Sequence, residues 1–315
     1  MKELRENTVP VECTVPAEDV ARIKGLGFLR DKTTPDCFNG RVLTKNGKIT
    51  AEEAVHIAEA AKRFGSGEVA MTTRQTIEIQ RVPFENIEPL REFLAEKGLE
   101  TGGTGPKVRP VVSCKGTTCV FGLIDTYALS QKIHERFYVG YHTVKLPHKF
   151  KIGVGGCPNN CVKPDLNDVG IIGAWVPQLV SERCVGCGAC VKACPLHVAA
   201  LENGKVSFTD KCNNCGRCVR ACATGGLDYT PGYRITLGGR WGKQVARGRA
   251  LSPLFESEDG VLTVIEKILL FFRAEGNAGE RLADTVARVG FENAERMILS
   301  DELLARKDEI LEKSL

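Results

Sequence analysis

The chain has 315 residues, 43% hydrophobic and 26% charged, a balance that predicts a globular protein with a buried core and room for two or three domains. No apolar run reaches the ~18 residues that a bilayer span needs, and the charged opening Met1-Lys2-Glu3-Leu4-Arg5-Glu6 lacks the apolar core of a secretion signal, so a cytoplasmic protein with no membrane span is expected. A net charge of +4 is too mild to predict a nucleic-acid partner and suits small anions, and fourteen cysteines in a reducing compartment predict metal ligation rather than disulfides.

Residues 1–36 hold Pro10, Pro16 and Pro35 and predict an extended N-terminal arm. Cys13 and Cys37 fall outside any spacing pattern and read as ordinary thiols. From Cys37 to Leu43 a strand is predicted, ended by the turn signal Asn46-Gly47. Thr50 and Glu53 have capping-box spacing, and the following helix is expected to bury Ala54, Val55, Ala58 and Ala61 and to stop at Gly65. Short strands around Val69 and from Thr76 to Gln80 flank Met71-Thr72-Thr73-Arg74-Gln75, and a second helix runs from about Phe84 to Lys97. The resulting β-α-β-β-α order predicts a ferredoxin-like half domain over residues 37–104. Arg41 and Arg74 lie at or beside its strands.

Gly102-Gly103-Thr104-Gly105-Pro106 then breaks the chain. A proline follows where a dinucleotide-binding loop would open a helix, so no flavin or nicotinamide fingerprint is present. Arg109 leads into Cys114 and, after four intervening residues, Cys119; a helix is predicted from about Val120 to Phe137. Lys149-Phe150-Lys151 reads as an extended segment with both lysines on one face. It runs through Gly155-Gly156, whose freedom of backbone angle and small size suit close approach to a bulky group, into Cys157-Pro158-Asn159-Asn160-Cys161. Thiolates select iron–sulfur clusters, zinc or copper(I). The four cysteines can hold one [4Fe–4S] cluster, and a zinc site could use the same residues.

After a strand predicted from Asp168 to Val176, Cys184-x2-Cys187-x2-Cys190-x3-Cys194-Pro195 is followed by Cys212-x2-Cys215-x2-Cys218-x3-Cys222. This repeat is the signature of a bacterial two-cluster ferredoxin, in which the fourth cysteine of each run ligates the other cluster. Cys184, Cys187, Cys190 and Cys222 are thus assigned to one cluster, and Cys212, Cys215, Cys218 and Cys194 to the other. The segment 178–232 reads as an insertion, because the earlier domain resumes near Tyr233. Arg240, Lys243, Arg247 and Arg249 form a basic, glycine-rich run. An apolar helix is predicted from Val261 to Ala274, then two or three short helices, with Glu302 to Leu315 amphipathic.

Met71-Thr72-Thr73-Arg74-Gln75, Arg109, Leu146-Pro147-His148-Lys149-Phe150-Lys151, Gly156-Cys157-Pro158-Asn159-Asn160-Cys161 and Leu237-Gly238-Gly239-Arg240 together resemble the sirohaem sulfite/nitrite reductase family, over about residues 37–275. The resemblance is strongest to the sirohaem subunits of anaerobic sulfite reductases, with dissimilatory sulfite reductase subunits next. It implies an α+β protein: a ferredoxin-like half domain plus an α/β sirohaem and [4Fe–4S] core (residues 105–177 and 233–315) carrying the two-cluster ferredoxin insert. It implies sirohaem and three [4Fe–4S] clusters as cofactors, with Cys161 shared between sirohaem iron and the cluster of Cys114, Cys119, Cys157 and Cys161. By the same resemblance Arg41, Arg109, Lys149 and Lys151 hold the substrate anion, while Thr72, Thr73, Arg74, Asn159 and Arg240 contact sirohaem. One departure is the Cys-x4-Cys spacing of Cys114 and Cys119, where many relatives have five intervening residues.

The implied activity is six-electron reduction of sulfite to sulfide in sulfur metabolism, with nitrite reduction to ammonia on the same cofactors as the alternative. A non-catalytic iron–sulfur electron carrier is the rival of a different class, but it would have no need of the four anion-facing cations. Electrons must come from a separate donor protein, a ferredoxin or reductase subunits. Relatives of the assimilatory type carry two copies of the repeated unit and this chain has one, so a homo-oligomer or membership of a larger complex is expected.

Overall fold

The computed structural model describes residues 11–313. It divides into two compact units. The first comprises the described residues up to Val112 together with His134–Phe150; the second comprises Ser113–Ile133 and the residues from Lys151 onward.

In the first unit, α1 (Ala17–Gly25) leads to β1 (Phe28–Arg30), β2 (Cys37–Val42), α2 (Ala51–Phe64), β3 (Val69–Met71), β4 (Ile77–Pro83) and α3 (Ile87–Ala95). The strands form an antiparallel sheet in the order β1-β2-β4-β3. The predicted β-α-β-β-α order is what the chain adopts from Cys37 onward. The extended arm is corrected: residues 17–25 are helical, and Phe28, fully buried, anchors β1 as an edge strand beside β2. Pro16 is the residue before the helix, where its fixed φ is harmless. Pro10 lies outside the described residues.

Thr50 accepts from the Glu53 N–H while Glu53 reaches back to the Thr50 N–H, so the capping box starts α2. The buried face of that helix differs from the expected one. Glu53, His56, Ile57, Ala60, Ala61 and Phe64 face inward, and Val55 is 67% exposed. Alanines carry little apolar area, so Ile57 and Phe64 decide which stripe is buried, and His56 stacks on Phe93 while its Nε2 meets the Phe93 carbonyl at 2.7 Å.

The second unit is built on a five-stranded sheet in the order β11-β10-β7-β6-β5, where β5 is Val112–Ser113, β6 Ile152–Gly155, β7 Val169–Leu179, β10 Leu227–Leu237 and β11 Arg249–Ala250. β6 runs parallel to β7, and β7 pairs antiparallel with β10 over its whole length, from Val169 opposite Leu237 to Leu179 opposite Leu227. Between these last two strands lie the short hairpin of β8 (Ala199–Glu202) and β9 (Lys205–Phe208) and two brief helices, Ala189–Ala193 and Arg217–Arg220. The helix expected from Val120 begins instead at Thr126 and ends at Ile133. Residues 120–125 curl tightly against the Cys119 loop, where a Cβ on Gly122 would lie 1.8 Å from the Gly116 carbonyl oxygen. The C-terminal helix Glu258–Glu275 is buried along most of its length, and four short helices follow it within the described residues rather than two or three. It buries Glu266, Lys267 and Arg273 with partners: Lys307, Asp301 and the carbonyls of Ile310, Leu311 and Lys313. Ser314 and Leu315 lie outside the described residues.

Candidate functional site

The second unit gathers the first cysteine quartet at the end of β6. Cys114 donates its N–H to the Val154 carbonyl at 3.0 Å, and its own carbonyl accepts from the Thr126 hydroxyl at 2.7 Å. Gly116–Thr118 is a single 3-10 turn that brings Cys119 round, which fixes the path of the short Cys-x4-Cys loop. Gly155-Gly156 serves close approach, and neither residue has a positive φ. A Cβ on Gly156 would stand 2.8 Å from Gly116 Cα and 3.5 Å from Cys114 Sγ, and the Gly156 N–H points at Cys114 Sγ at 3.1 Å. Gly156→Ala is therefore expected to cost about 1–3 kcal/mol by overpacking and to lower iron content. A thermal melt and an iron assay on the same preparation check this; an unchanged melt would contradict the packing described.

The left-handed residue of the Cys157–Cys161 turn is Asn160, at φ 58°, held by its side-chain bond to Asp165 at 2.7 Å. Burial pushes the Cys157 thiol up; the Asn159 N–H opposes this, and the charges of Cys114, Cys161 and Cys119 add to it. Cys157 is thus within electrostatic reach of Cys114, Cys161 and Cys119. Repulsion of this kind is what a bound cationic metal centre offsets, since metals hold thiols deprotonated. Cys161 is exposed whereas Cys114, Cys119 and Cys157 are partly buried.

Two further recesses lie between β7 and β10 in sequence. Cys184, Cys187, Cys190 and Cys222 line one, and Cys194, Cys212, Cys215 and Cys218 line the other. Each of the two brief helices is entered through a left-handed glycine, Gly188 or Gly216, which lets two cysteines of a Cys-x2-Cys step face inward. Burial raises the Cys190 thiol, and pushes Cys218 up to about 11. At Cys194 burial is outweighed by the N–H groups of Val198, Leu196, Ala199 and His197, and at Cys222 by the Thr224 hydroxyl and the N–H groups of Leu227, Gly226 and Thr224, so both thiols are lowered. Among the described residues no three His, Cys, Asp or Glu side chains close on one point as a single ion's ligands would. Four cysteine side chains line each recess of the insert, a donor set that fits a thiolate-ligated iron–sulfur group.

The first unit holds four of the cations that the sequence singles out. Arg41 accepts the Gly102 N–H on its carbonyl at 3.0 Å, and its guanidinium pairs with Glu78 at 3.1 Å across β2 and β4. Arg74 donates to the Pro110 carbonyl, and Arg109 to that of Gly103. Lys149 precedes Phe150, which exchanges backbone bonds with Lys107 and Arg109 at 3.0 and 2.8 Å. Thr72 sets the β3–β4 turn by meeting the Thr76 hydroxyl at 2.7 Å and accepting the Arg74 N–H; Thr73 is exposed.

In the second unit, Lys151 immediately precedes β6, whose regular pairing begins only at Ile152, so the predicted lysine strand is corrected to an extended lead-in. Its N–H donates to Asp168 at 2.9 Å, and Asp168, fully buried, also takes two bonds from Arg281 at 3.0 and 3.2 Å. Burial pushes the Asp168 carboxyl up, against the pull of Arg281 and the Lys151 N–H. Asn159 is exposed beside Cys157. Arg240 is engaged with Asp284 at 2.5 Å, Arg247 with Asp165, and Arg249 with Glu292 at 2.8 Å. Glu78, Asp168 and Arg281 were not foreseen. An acidic residue at the head of an apolar strand was the available signal for Asp168, whereas Glu78 follows only from the pairing register.

The nitrite and sulphite reductase 4Fe-4S domain matches residues 104–306, and the nitrite/sulfite reductase ferredoxin-like half domain matches residues 30–97. The chain is 33% identical over 276 residues to the coenzyme F420-dependent sulfite reductase of Methanocaldococcus jannaschii, covering 86% of this chain but only 42% of that protein. It is 35% identical over 234 residues to a subunit of the anaerobic sulfite reductase of Salmonella typhimurium, covering 68% of each. Among solved structures, dissimilatory sulfite reductase I superposes with a TM-score of 0.68 at 24% identity, over 83% of this chain and 68% of that one.

Proposed function

Since the chain belongs to the nitrite and sulphite reductase family, we propose that it reduces sulfite to sulfide, using sirohaem, a [4Fe–4S] cluster on Cys114, Cys119, Cys157 and Cys161, and two more clusters in the ferredoxin-like insert. The observation that carries the reading is the quartet: four neighbouring thiols of which Cys161 is the exposed one. An exposed ligand sulfur is free to be shared with a second metal. Sirohaem, when bound, supplies the iron on which the oxyanion is reduced and joins the cluster as one electron reservoir.

The chain's own residues then have distinct tasks. Arg41, Arg109, Lys149 and Lys151 hold the substrate anion. Thr72, Thr73, Arg74 and Arg240 hold carboxylates of the macrocycle, and Asn159 contacts the macrocycle. An arginine fork matches a carboxylate bidentately, whereas a lysine is a point charge that can also release a proton. Such cations are needed because a buried anion is tolerable only when paired. Asp168 and Arg281 steady the backbone at Lys151. Electrons enter through the insert from a separate donor protein, and the chain works as a homo-oligomer or within a larger complex. Among the described residues no helix is long and apolar enough to cross a membrane.

The test is an absorption spectrum of the purified protein followed by competition between sulfite and nitrite. Sirohaem bands with a higher kcat/KM for sulfite are expected. A spectrum of clusters alone would leave only the electron carrier, and a higher kcat/KM for nitrite would move the assignment to ammonia formation.

A further inference from the structure

We propose that Cys194, Cys212, Cys215 and Cys218 form the inner relay site of the insert, coupled to the Cys114–Cys161 quartet through β7, and that Trp175 and Arg220 are the positioning residues that hold the two together. The Cys184, Cys187, Cys190 and Cys222 set is then the outer site, where electrons arrive. The proposal rests on reading all three sets as [4Fe–4S] clusters and deepens that reading by giving their order.

β7 and Val180, the residue that follows it, meet two of the sets directly and the residue beside Cys157 of the third. At Gly173 of β7 an added Cβ would lie 2.6 Å from the Gly156 carbonyl oxygen, so the strand backbone presses on the residue before Cys157. Two residues on, the Trp175 N–H donates to the Asn214 carbonyl at 2.9 Å, Trp175 bridges with Cys215, and its ring covers Gly216 so closely that a Cβ there would stand 2.8 Å from it. A strand advances about 3.3 Å per residue, so the two contacts lie about 7 Å apart along β7. The other set is attached at the far end: Cys184 donates its N–H to the Val180 carbonyl at 3.1 Å, and Val180 pairs with Gly226. That point is five residues past Trp175, about 16 Å further along.

The side chains tie the inner set to the quartet from the same side. The Trp175 indole N–H donates to the Leu123 carbonyl at 3.1 Å, in the segment that curls round Cys119, and the ring stacks on Tyr229 at 3.8 Å. Arg220, between Cys218 and Cys222 in the chain, places its guanidinium 5.0 Å from the Trp175 ring and donates to the carbonyls of Val120 and, at 2.8 Å, Gly122. Arg217 lies 5.5 Å over Phe121. Arg220 therefore puts a positive charge where two thiolate-ligated groups approach, and favours the reduced form of both. Each transfer oxidises the inner site by one electron and reduces the quartet by one; the outer site then gives one electron to the inner site, and a low-potential one-electron donor refills the outer site.

Iron and labile-sulfide analysis tests the three-cluster reading separately. For the order, full-length protein reduced with dithionite is examined by EPR power saturation of the quartet's signal. Cys215→Ser should make that signal saturate at lower power, because a nearby paramagnet is lost, while Cys187→Ser should leave it unchanged. An equal or reversed effect overturns the order. If either variant loses both insert clusters, Arg220→Gln, which keeps every ligand, decides the matter by redox titration. It should lower the midpoint potentials of the quartet and of one insert cluster, with iron content and the third potential unchanged. A shift confined to the insert, or none, overturns the proposal.

Discussion

Cys161→Ser is expected to abolish sulfite reduction while the protein stays folded. Cys161 is exposed and follows a turn whose geometry is held by Asn160 and Asp165 rather than by the sulfur, so the local backbone does not depend on it. On the function proposed above, the substitution would remove the soft thiolate that the cluster and sirohaem would share, and with it the path by which electrons would reach the substrate. Activity per folded chain is the readout; turnover near the wild-type rate would show that Cys161 is not the bridge. Cys13 and Cys37 are the controls. Cys37 is 8% exposed in the core of the first unit, and burial, then the charges of Asp31, Glu85 and Asp36, raises its thiol, while Cys13 packs partly buried against that core. Serine at either position should leave iron content unchanged, and iron loss in either variant would mean a further ligand exists.

The second large effect is expected at Lys149. Lys149→Met keeps most of the stem and removes the charge and three donors. Losing one charge-assisted hydrogen bond costs ~1.5–3 kcal/mol, so sulfite binding should weaken by roughly ten- to a hundredfold. Phe150 beside it is fully buried and bonded through its backbone to Lys107 and Arg109, so the segment should keep its place without the ammonium. Were Lys149 only a counter-charge for the macrocycle's carboxylates, the variant would purify short of sirohaem and its loaded fraction would work normally. Activity measured per sirohaem separates the two, and an unchanged value would sink the substrate-binding role.

The parts legible in the sequence were those set by local chemistry. Thr50 and Glu53 announce a helix start because both halves of the cap are three residues apart. The insert's cysteine spacings announce their groupings because the repeated run is that of a two-cluster ferredoxin, in which the fourth cysteine of each run crosses to the other set. What stayed hidden depends on residues far apart in the chain. The buried face of α2 is chosen by Ile57, Phe64 and the stacking of His56 on Phe93, a residue 37 positions away. Residues 17–30 look like an arm until Phe28 is seen filling the core of the sheet. Glu78 meets Arg41 only through the register of β2 and β4, and Trp175 gains its meaning from Cys215, Leu123 and Arg220.

The most direct test of the central claim is a count of products against electrons. The full-length, cofactor-loaded protein is supplied anaerobically with a reduced one-electron dye and sulfite, and sulfide formed is compared with dye oxidised. Reduction of sulfite to sulfide takes six electrons, so the account predicts one sulfide for every six dye molecules consumed. Dye oxidised without sulfide, from protein whose spectrum carries sirohaem, would contradict it.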